Sequence, residues 1–278
     1  MRKWLRILLL TALFPLFSCV GQKEDPEEFD PGIADNTDEP RGAYDGTVFY
    51  RRIIALGFTA TWCQYCPNMS QAIEDASALR PGRIIPLAVH YMDELSMAES
   101  APLASAFSVT DYPSLVLDLD HSTIFGGQDP ARIVEYLDKA LEEHPCGISA
   151  KSELEGGILK LEVYVKAVKE ASYTAVAAWA QDNIGVAYQA GYGPDYSCRA
   201  VFRGFLEPGT GGRALGSLEE GDEGMAVFSS AVPDIENPYL VVYILEAGKV
   251  VNALRLGTNE TVEYEYEYEY EYEYEKTN

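Results

Sequence analysis

An α/β domain followed by an all-β antiparallel sandwich domain is the fold class this sequence predicts. Three observations carry it. The first half alternates β-rich apolar runs with segments of helical spacing. The second half alternates apolar and polar residues at a period of two, with turn residues between the runs. The character changes just after Cys146-Gly147. The chain has 278 residues, enough for two ordinary domains, and its 47% hydrophobic content is enough to build their cores.

The N-terminus comes first. "MRKWLR" is a positive segment and "ILLLTALFPLF" a short apolar core. The core is too short to span a bilayer comfortably, so residues 1–18 read as an export signal. The "LFSC" that follows places a small residue before Cys19. This resembles the lipobox of bacterial lipoproteins, which implies a lipidated Cys19 as the mature N-terminus and a hold on the membrane through its lipid. Residues 19–43 are acidic and rich in Pro and Gly, with no apolar periodicity, and read as a tether.

Residues 44–146 form the first predicted domain. "TVFYRRIIALGFTA" (47–60) is a strand that ends at "TWCQYCP". After it Met69, Ala72, Ile73, Ala76 and Leu79 fall at helical spacing, stopped by Pro81-Gly82. "RIIPLAVHYM" is the next strand. A short helix follows in "ESAPLASAF", with Ser100 in position to cap it. "DYPSLVLDLDHSTIFGG" reads as two strands with a turn near His121-Ser122. Asp129 and Pro130 open a last helix as N-cap and first residue, with Ile133, Val134, Leu137, Ala140 and Leu141 on its apolar face.

That element order, with Trp62-Cys63-Gln64-Tyr65-Cys66 at a strand-to-helix junction and Tyr112-Pro113 before a later strand, resembles thioredoxin-like domains over roughly residues 44 to 145. The resemblance implies a cis-proline facing a dithiol. The chemistry has its own reason: unpaired N–H groups and the helix dipole at a helix start favour an anion, which stabilises a thiolate. Cys63 is then the exposed attacking thiol and Cys66, one turn on, the more buried resolving thiol. Pro113 lacks an N–H and shapes a groove. Trp62, Gln64, Tyr65 and Tyr112 border that substrate groove. Many thioredoxins carry a buried acid six residues before the first cysteine; here that position is Gly57. Zinc lacks partners: there is no second C-x-x-C, and His90, His121 and His144 are the only histidines. No metal and no cofactor are expected.

Residues 147–262 form the predicted sandwich. In "GILKLEVYVKAV", Leu159, Leu161, Val163 and Val165 share one face. Further strands are "YTAVAAWAQ", "SCRAVFRGFL", "GMAVFSSAV", "YLVVYIL" and "KVVNALRL", the last two joined by a hairpin turn at "LEAGKV". "EPGTGGRALG" has no Lys-Ser/Thr ending and precedes no helix, so it reads as a loop, not a phosphate cradle. No histidine follows His144, which removes the usual hydrolase triads. Cys146 and Cys198 are candidates for a structural disulfide clamping the two domains; closing their loop of about 50 residues is worth roughly 4 kcal/mol in the chain-entropy model.

The tail, residues 263–278, begins as a Glu-Tyr repeat with seven glutamates at every second position from 263 to 275. Mutual repulsion predicts disorder over most of it, with an edge strand at its start. The formal net charge of -23 excludes non-specific nucleic-acid binding as a first reading.

Taken together, these features resemble the Omp-type outer-membrane lipoproteins with a thioredoxin-like domain, which implies a bacterial cell-envelope protein facing the periplasm or the surface. Two functions remain open. One is a thiol–disulfide oxidoreductase acting on cysteine-containing exported proteins, its electron donor or acceptor unknown. The other is an envelope binding or structural lipoprotein with a redox-inactive thioredoxin-like domain.

Overall fold

β1 (Ile53–Thr59) is buried along its whole length, and everything near the cysteine pair is built outward from it. The computed structural model describes residues 48–207 and 212–267; the export signal, Cys19, the 19–43 tether and the tail beyond residue 267 lie outside the described residues.

From β1 the chain enters α1 (Cys66–Leu79), which turns Met69, Ala72, Ile73 and Ala76 inward. Leu79, expected on the same face, points out at the last turn and is exposed. β2 (Ile84–His90) returns parallel to β1, with Thr59 opposite His90. α2 (Ser100–Ala106) follows. Ser100 is its first residue, not its cap, and its hydroxyl accepts the Met97 N–H. β3 (Ser114–Leu117) runs antiparallel to β1. The second strand expected beyond it shrinks to one bridge, Phe125 to Leu115, because the Asp120 carboxylate caps a 3-10 turn over His121–Thr123 and uses up the intervening residues. α3 (Pro130–Ala140) starts as its sequence predicts, with the Asp129 carboxylate accepting the Ala131 N–H.

The rest of the chain is all strand. β4 (Gly147–Glu155), β5 (Ile158–Lys166), β6 (Ala171–Gln181), β7 (Ile184–Gly185), β8 (Ser197–Cys198), β9 (Val201–Phe205), β10 (Arg213–Leu218), β11 (Glu223–Ala231), β12 (Tyr239–Glu246), β13 (Lys249–Leu256) and β14 (Thr261–Val262) follow in order. The β12–β13 turn has Ala247 and Gly248 both at positive φ, as a tight hairpin requires.

These strands do not make a separate domain. One sheet runs β13-β12-β6-β9-β2-β1-β3, with β10 pairing to β6, so the first half's sheet continues into the second. The join is the parallel pairing of Ala88 with Val201, with the Ala88 N–H donating to the Ala200 carbonyl at 2.7 Å. The described residues all fall in one compact unit. The boundary expected at 146–147 therefore marks a change of composition, not a break in packing. A second sheet, β11-β5-β4-β14, is antiparallel and covers β6, β12 and β13 through Leu161, Val163, Trp179, Phe228, Val242 and Leu254. The sandwich is real, but one of its layers is shared. On the shared sheet, Val176, Ala178, Val241 and Tyr243 pack in a cluster with Leu103 of α2 and Phe107 just after it, whereas Ala175, Ala177, Leu240 and Val242 face the second sheet. Both faces being buried is why these strands are continuous apolar runs.

Two further expectations are corrected. The end of the expected 207–216 loop belongs to an edge strand, Arg213–Leu218; it is too exposed to need apolar alternation, and a register shift between Ala214 and Gly216 breaks what pattern there is. Cys146 and Cys198 are buried free thiols, not a disulfide. Cys146 lies in the core between the two sheets, while Cys198 belongs to a small cluster with Leu95, Val186 and Val201.

Candidate functional site

The cysteine pair sits at the end of β1, where the strand gives way to α1. A turn closes first, the Cys63 N–H donating to the Ala60 carbonyl at 3.1 Å. Helix α1 starts at Cys66, with Tyr65 as cap and Pro67 in its first turn. Cys63 thus precedes the first helical turn, as the sequence predicts. The pair is joined as a disulfide, with the Cα atoms 5.5 Å apart. Ala60, Cys63, Cys66 and Tyr112 form one small cluster, and the Tyr112-Pro113 peptide bond is cis. The two motifs that lie about 50 residues apart in sequence are therefore neighbours in the fold.

Both sulfur-bearing residues are more covered than the sequence suggests. Cys63 is 5% exposed and Cys66 1%, so the order of accessibility is as expected but the freely exposed nucleophile is not. The bordering residues are open: Trp62 is 49% and Tyr65 54% exposed, and Gln64 is exposed as well. The Trp62 indole N–H donates to the Tyr91 carbonyl at 3.0 Å. Its ring meets Tyr112 edge-on at 5.3 Å between centroids, and Tyr91 stacks on the other side of Tyr112 at 5.4 Å. Burial, with Tyr91 nearby, pushes the Tyr112 phenol up to about 12, so it is neutral at every physiological pH. Tyr91 and Tyr112 also form one wall of an open groove of about 500 Å³, whose other lining residues include Ala104, Ser105, Ser108 and Val109. Tyr112 thus touches the sulfur cluster and the groove at once.

Three residues that sequence reasoning missed hold the turn in place. Asp93, next to β2, accepts the Thr61 N–H at 2.8 Å, the Leu95 N–H at 3.0 Å and shares a 2.7 Å contact with His90 Nδ1. Burial pushes its carboxyl up, but the hydrogen bonds from His90, Thr61 and Leu95 outweigh that and hold it below its ordinary value. From the opposite part of the chain, Gln189 Nε2 donates to the Cys63 carbonyl at 2.9 Å and to the Ala60 carbonyl at 3.4 Å. The Ala190 N–H donates to the Thr61 carbonyl at 2.8 Å. "QAGYGPDYSC" offers a clue in Gly191 and Gly193, both of which take positive φ in a tight turn. No local pattern says which surface that turn meets.

Gly57 explains itself here. A β-carbon at that position would lie 2.8 Å from the Met69 methyl, so the space in which many thioredoxins carry a buried acid holds a thioether here. Among the described residues no group of three or more His, Cys, Asp or Glu is placed to hold a metal ion.

Comparison with protein-family profiles finds no match, and comparison with curated proteins finds none. Solved structures do match. HBP35 of Porphyromonas gingivalis superimposes with a TM-score of 0.64 at 16% identity, covering 76% of this chain and 76% of that one. A protein from Agrobacterium tumefaciens superimposes with a TM-score of 0.53 at 17% identity, covering 76% of this chain and 96% of that one. At these identities the likeness is one of fold. It fits a thioredoxin-like core within a β-rich chain.

Proposed function

We propose that this protein is a thiol–disulfide oxidoreductase acting on cysteines of exported proteins, held to the bacterial cell envelope, at the outer membrane, by lipid on Cys19. The observation that carries the reading is the Cys63–Cys66 disulfide at the strand-to-helix junction, with the cis Tyr112-Pro113 peptide and an open groove beside it. In the oxidising direction a partner thiolate attacks Cys63 Sγ. The Cys63–Cys66 bond breaks and Cys66 leaves as the thiolate. A second partner thiolate then attacks the partner sulfur of the mixed disulfide, and Cys63 leaves. The partner loses two electrons to the Cys63–Cys66 pair, and its two protons go to solvent or to the released thiolates. The reducing direction is the reverse, with a dithiol partner as donor. Pro113 and Tyr112 shape the wall along which the partner lies; Trp62, Gln64 and Tyr65 form the rim.

A second reading has its own support. Both sulfurs are nearly covered, and no acid stands at Gly57 to take the Cys66 proton. These favour an envelope binding or structural lipoprotein with an inert Cys63–Cys66 bond. One experiment separates the two. The chain without residues 1–19 is equilibrated in glutathione buffers and its thiols are trapped by alkylation. A potential between about -270 and -120 mV supports exchange chemistry; a bond reduced only below about -300 mV sinks it. The anchor has a separate test: Cys19→Ser abolishes incorporation of labelled fatty acid and releases the protein from the membrane fraction.

A further inference from the structure

The turn that carries the cysteine pair is gripped by a part of the chain that lies outside the thioredoxin-like core. Between β7 and β8 the chain closes a tight hairpin: the Gln189 N–H donates to the Gly193 carbonyl at 2.8 Å, and the Gly193 N–H donates back to the Gln189 carbonyl at 2.8 Å. This tip faces the cysteine turn. Gly191 comes so close to Gln64 that a β-carbon on it would lie 3.1 Å from the Gln64 carbonyl oxygen. The Tyr192 hydroxyl is 3.4 Å from Asn68 Oδ1, on the first turns of α1. Gln189 is 2% exposed and points its amide at two main-chain carbonyls of the turn, those of Cys63 and Ala60.

From this we infer that Gln189 is a positioning residue that raises the reduction potential of the Cys63–Cys66 bond. The Cys63 carbonyl has two donors, Gln189 Nε2 at 2.9 Å and the Cys66 N–H at a long 3.4 Å. Reduction leaves negative charge on a sulfur beside that carbonyl. With the carbonyl satisfied by Gln189, its lone pairs repel the thiolate less, and the Cys66 N–H is released to donate to the sulfur. The hairpin thus favours the reduced form relative to the oxidised form, and a stabilised reduced form is a stronger oxidant. Asp93 and Glu94, on the other side at Thr61, are the opposing charges the amide must work against. The inference rests on the exchange reading for its use in catalysis, but the effect on the disulfide is a property of the bond itself.

The test is the equilibrium of wild type, Gln189→Leu and Gln189→Glu with glutathione, or with dithiothreitol if glutathione is too weak. Gln189→Leu keeps the shape and loses the donor. Its equilibrium shifts three- to tenfold toward the disulfide, which is about 15 to 30 mV more reducing. Gln189→Glu, with a carboxylate against two carbonyls, shifts at least as far. Gly191→Ala, which pushes the tip off Gln64 while keeping the amide, shifts in the same direction. A potential unchanged in Gln189→Leu, with a lowered melting point, overturns the inference and leaves Gln189 as packing. Because the dithiothreitol measurement works on a structural bond too, failure of the exchange reading is seen separately, in the wild-type potential.

Discussion

The Met69 methyl stands 2.8 Å from where a β-carbon on Gly57 would be, so one side chain on α1 fills the cavity that a side chain on β1 would otherwise need. A flexible thioether tip can turn aside for a single carbon, so Gly57→Ala is predicted to cost about 1 kcal/mol or less. Gly57→Asp brings a carboxyl into a strand whose every residue is buried, and is predicted to cost about 3 kcal/mol or more. Adding Met69→Ala to Gly57→Asp returns the room but not the hydration, so recovery is partial. Denaturant midpoints of the four proteins check this. Equal stability of Gly57→Asp and wild type would mean that solvent reaches the base of β1.

Cys146 and Cys198 supply a sharper check. Burial pushes both thiols up to about 12. Thiolate is the reactive form, so neither is alkylated in the native protein up to about pH 9, whereas both are alkylated at once in denaturant. Serine at both positions leaves the sensitivity of the fold to reductant unchanged. A mass corresponding to a Cys146–Cys198 cross-link in the native protein would reverse the assignment.

How much of the fold is legible in the sequence depends on the range of the interaction. The strand at 159–165 alternates because β5 buries one face only, and the eye finds it. Asp129-Pro130 announces a helix because cap and first residue are local. "YTAVAAWAQ" reads as a sandwich strand, and its unbroken apolar run fits a strand covered on both faces. What it cannot say is by what. The continuation of the sheet hangs on Ala88 meeting Val201, over a hundred residues apart, and nothing near either residue encodes the partner. The same holds for the site. Cys63, Cys66, Trp62 and Pro113 are visible as motifs, whereas Gln189 acts through a carbonyl that every residue possesses. Arg213–Leu218 escaped because an exposed edge strand has no buried face to impose a pattern.

Asp93 ties the cysteine turn to β2, and its pH dependence has a definite sign. Its folded carboxyl titrates below the ordinary value of about 3.9. A depressed carboxyl contributes stability that is present above the unfolded pKa and is lost as pH falls through the folded one. Asp93→Asn is therefore predicted to lose about 1.5–3 kcal/mol at pH 7, the range for hydrogen bonds to a charged group. The gap to wild type narrows below about pH 4. Stability curves of the two proteins from pH 7 to pH 3 read it. A gap that stays constant would show that the carboxylate's charge does not matter and only its shape does.

The beginning of the Glu-Tyr repeat closes the molecule against the segment that leads into β1. The Tyr50 N–H donates to the Glu265 carbonyl at 2.9 Å and the Glu267 N–H to the Val48 carbonyl at 2.8 Å. Arg52 grips Glu265 with two bonds, at 2.6 and 2.8 Å, and Arg83 grips Glu267. On the aromatic side, Tyr266 stacks on Phe49 at 4.7 Å and Tyr264 lies tilted at 5.7 Å. The two ion pairs are partly exposed, and such pairs are worth about 0–1 kcal/mol each. Covering a phenylalanine is worth about 1.5–3 kcal/mol. The aromatic contact is therefore predicted to dominate. A chain ending at Val262 loses about 2–4 kcal/mol, while Arg52→Gln with Arg83→Gln in the full chain loses less than half of that. At about 2–4 °C per kcal/mol for a chain of this size, the two losses are separable in a melting experiment. Raising the salt to 1 M should remove most of the small loss and little of the large one. Equal losses in the two variants would mean that charge, not the tyrosine cover over Phe49, holds the start of the repeat in place.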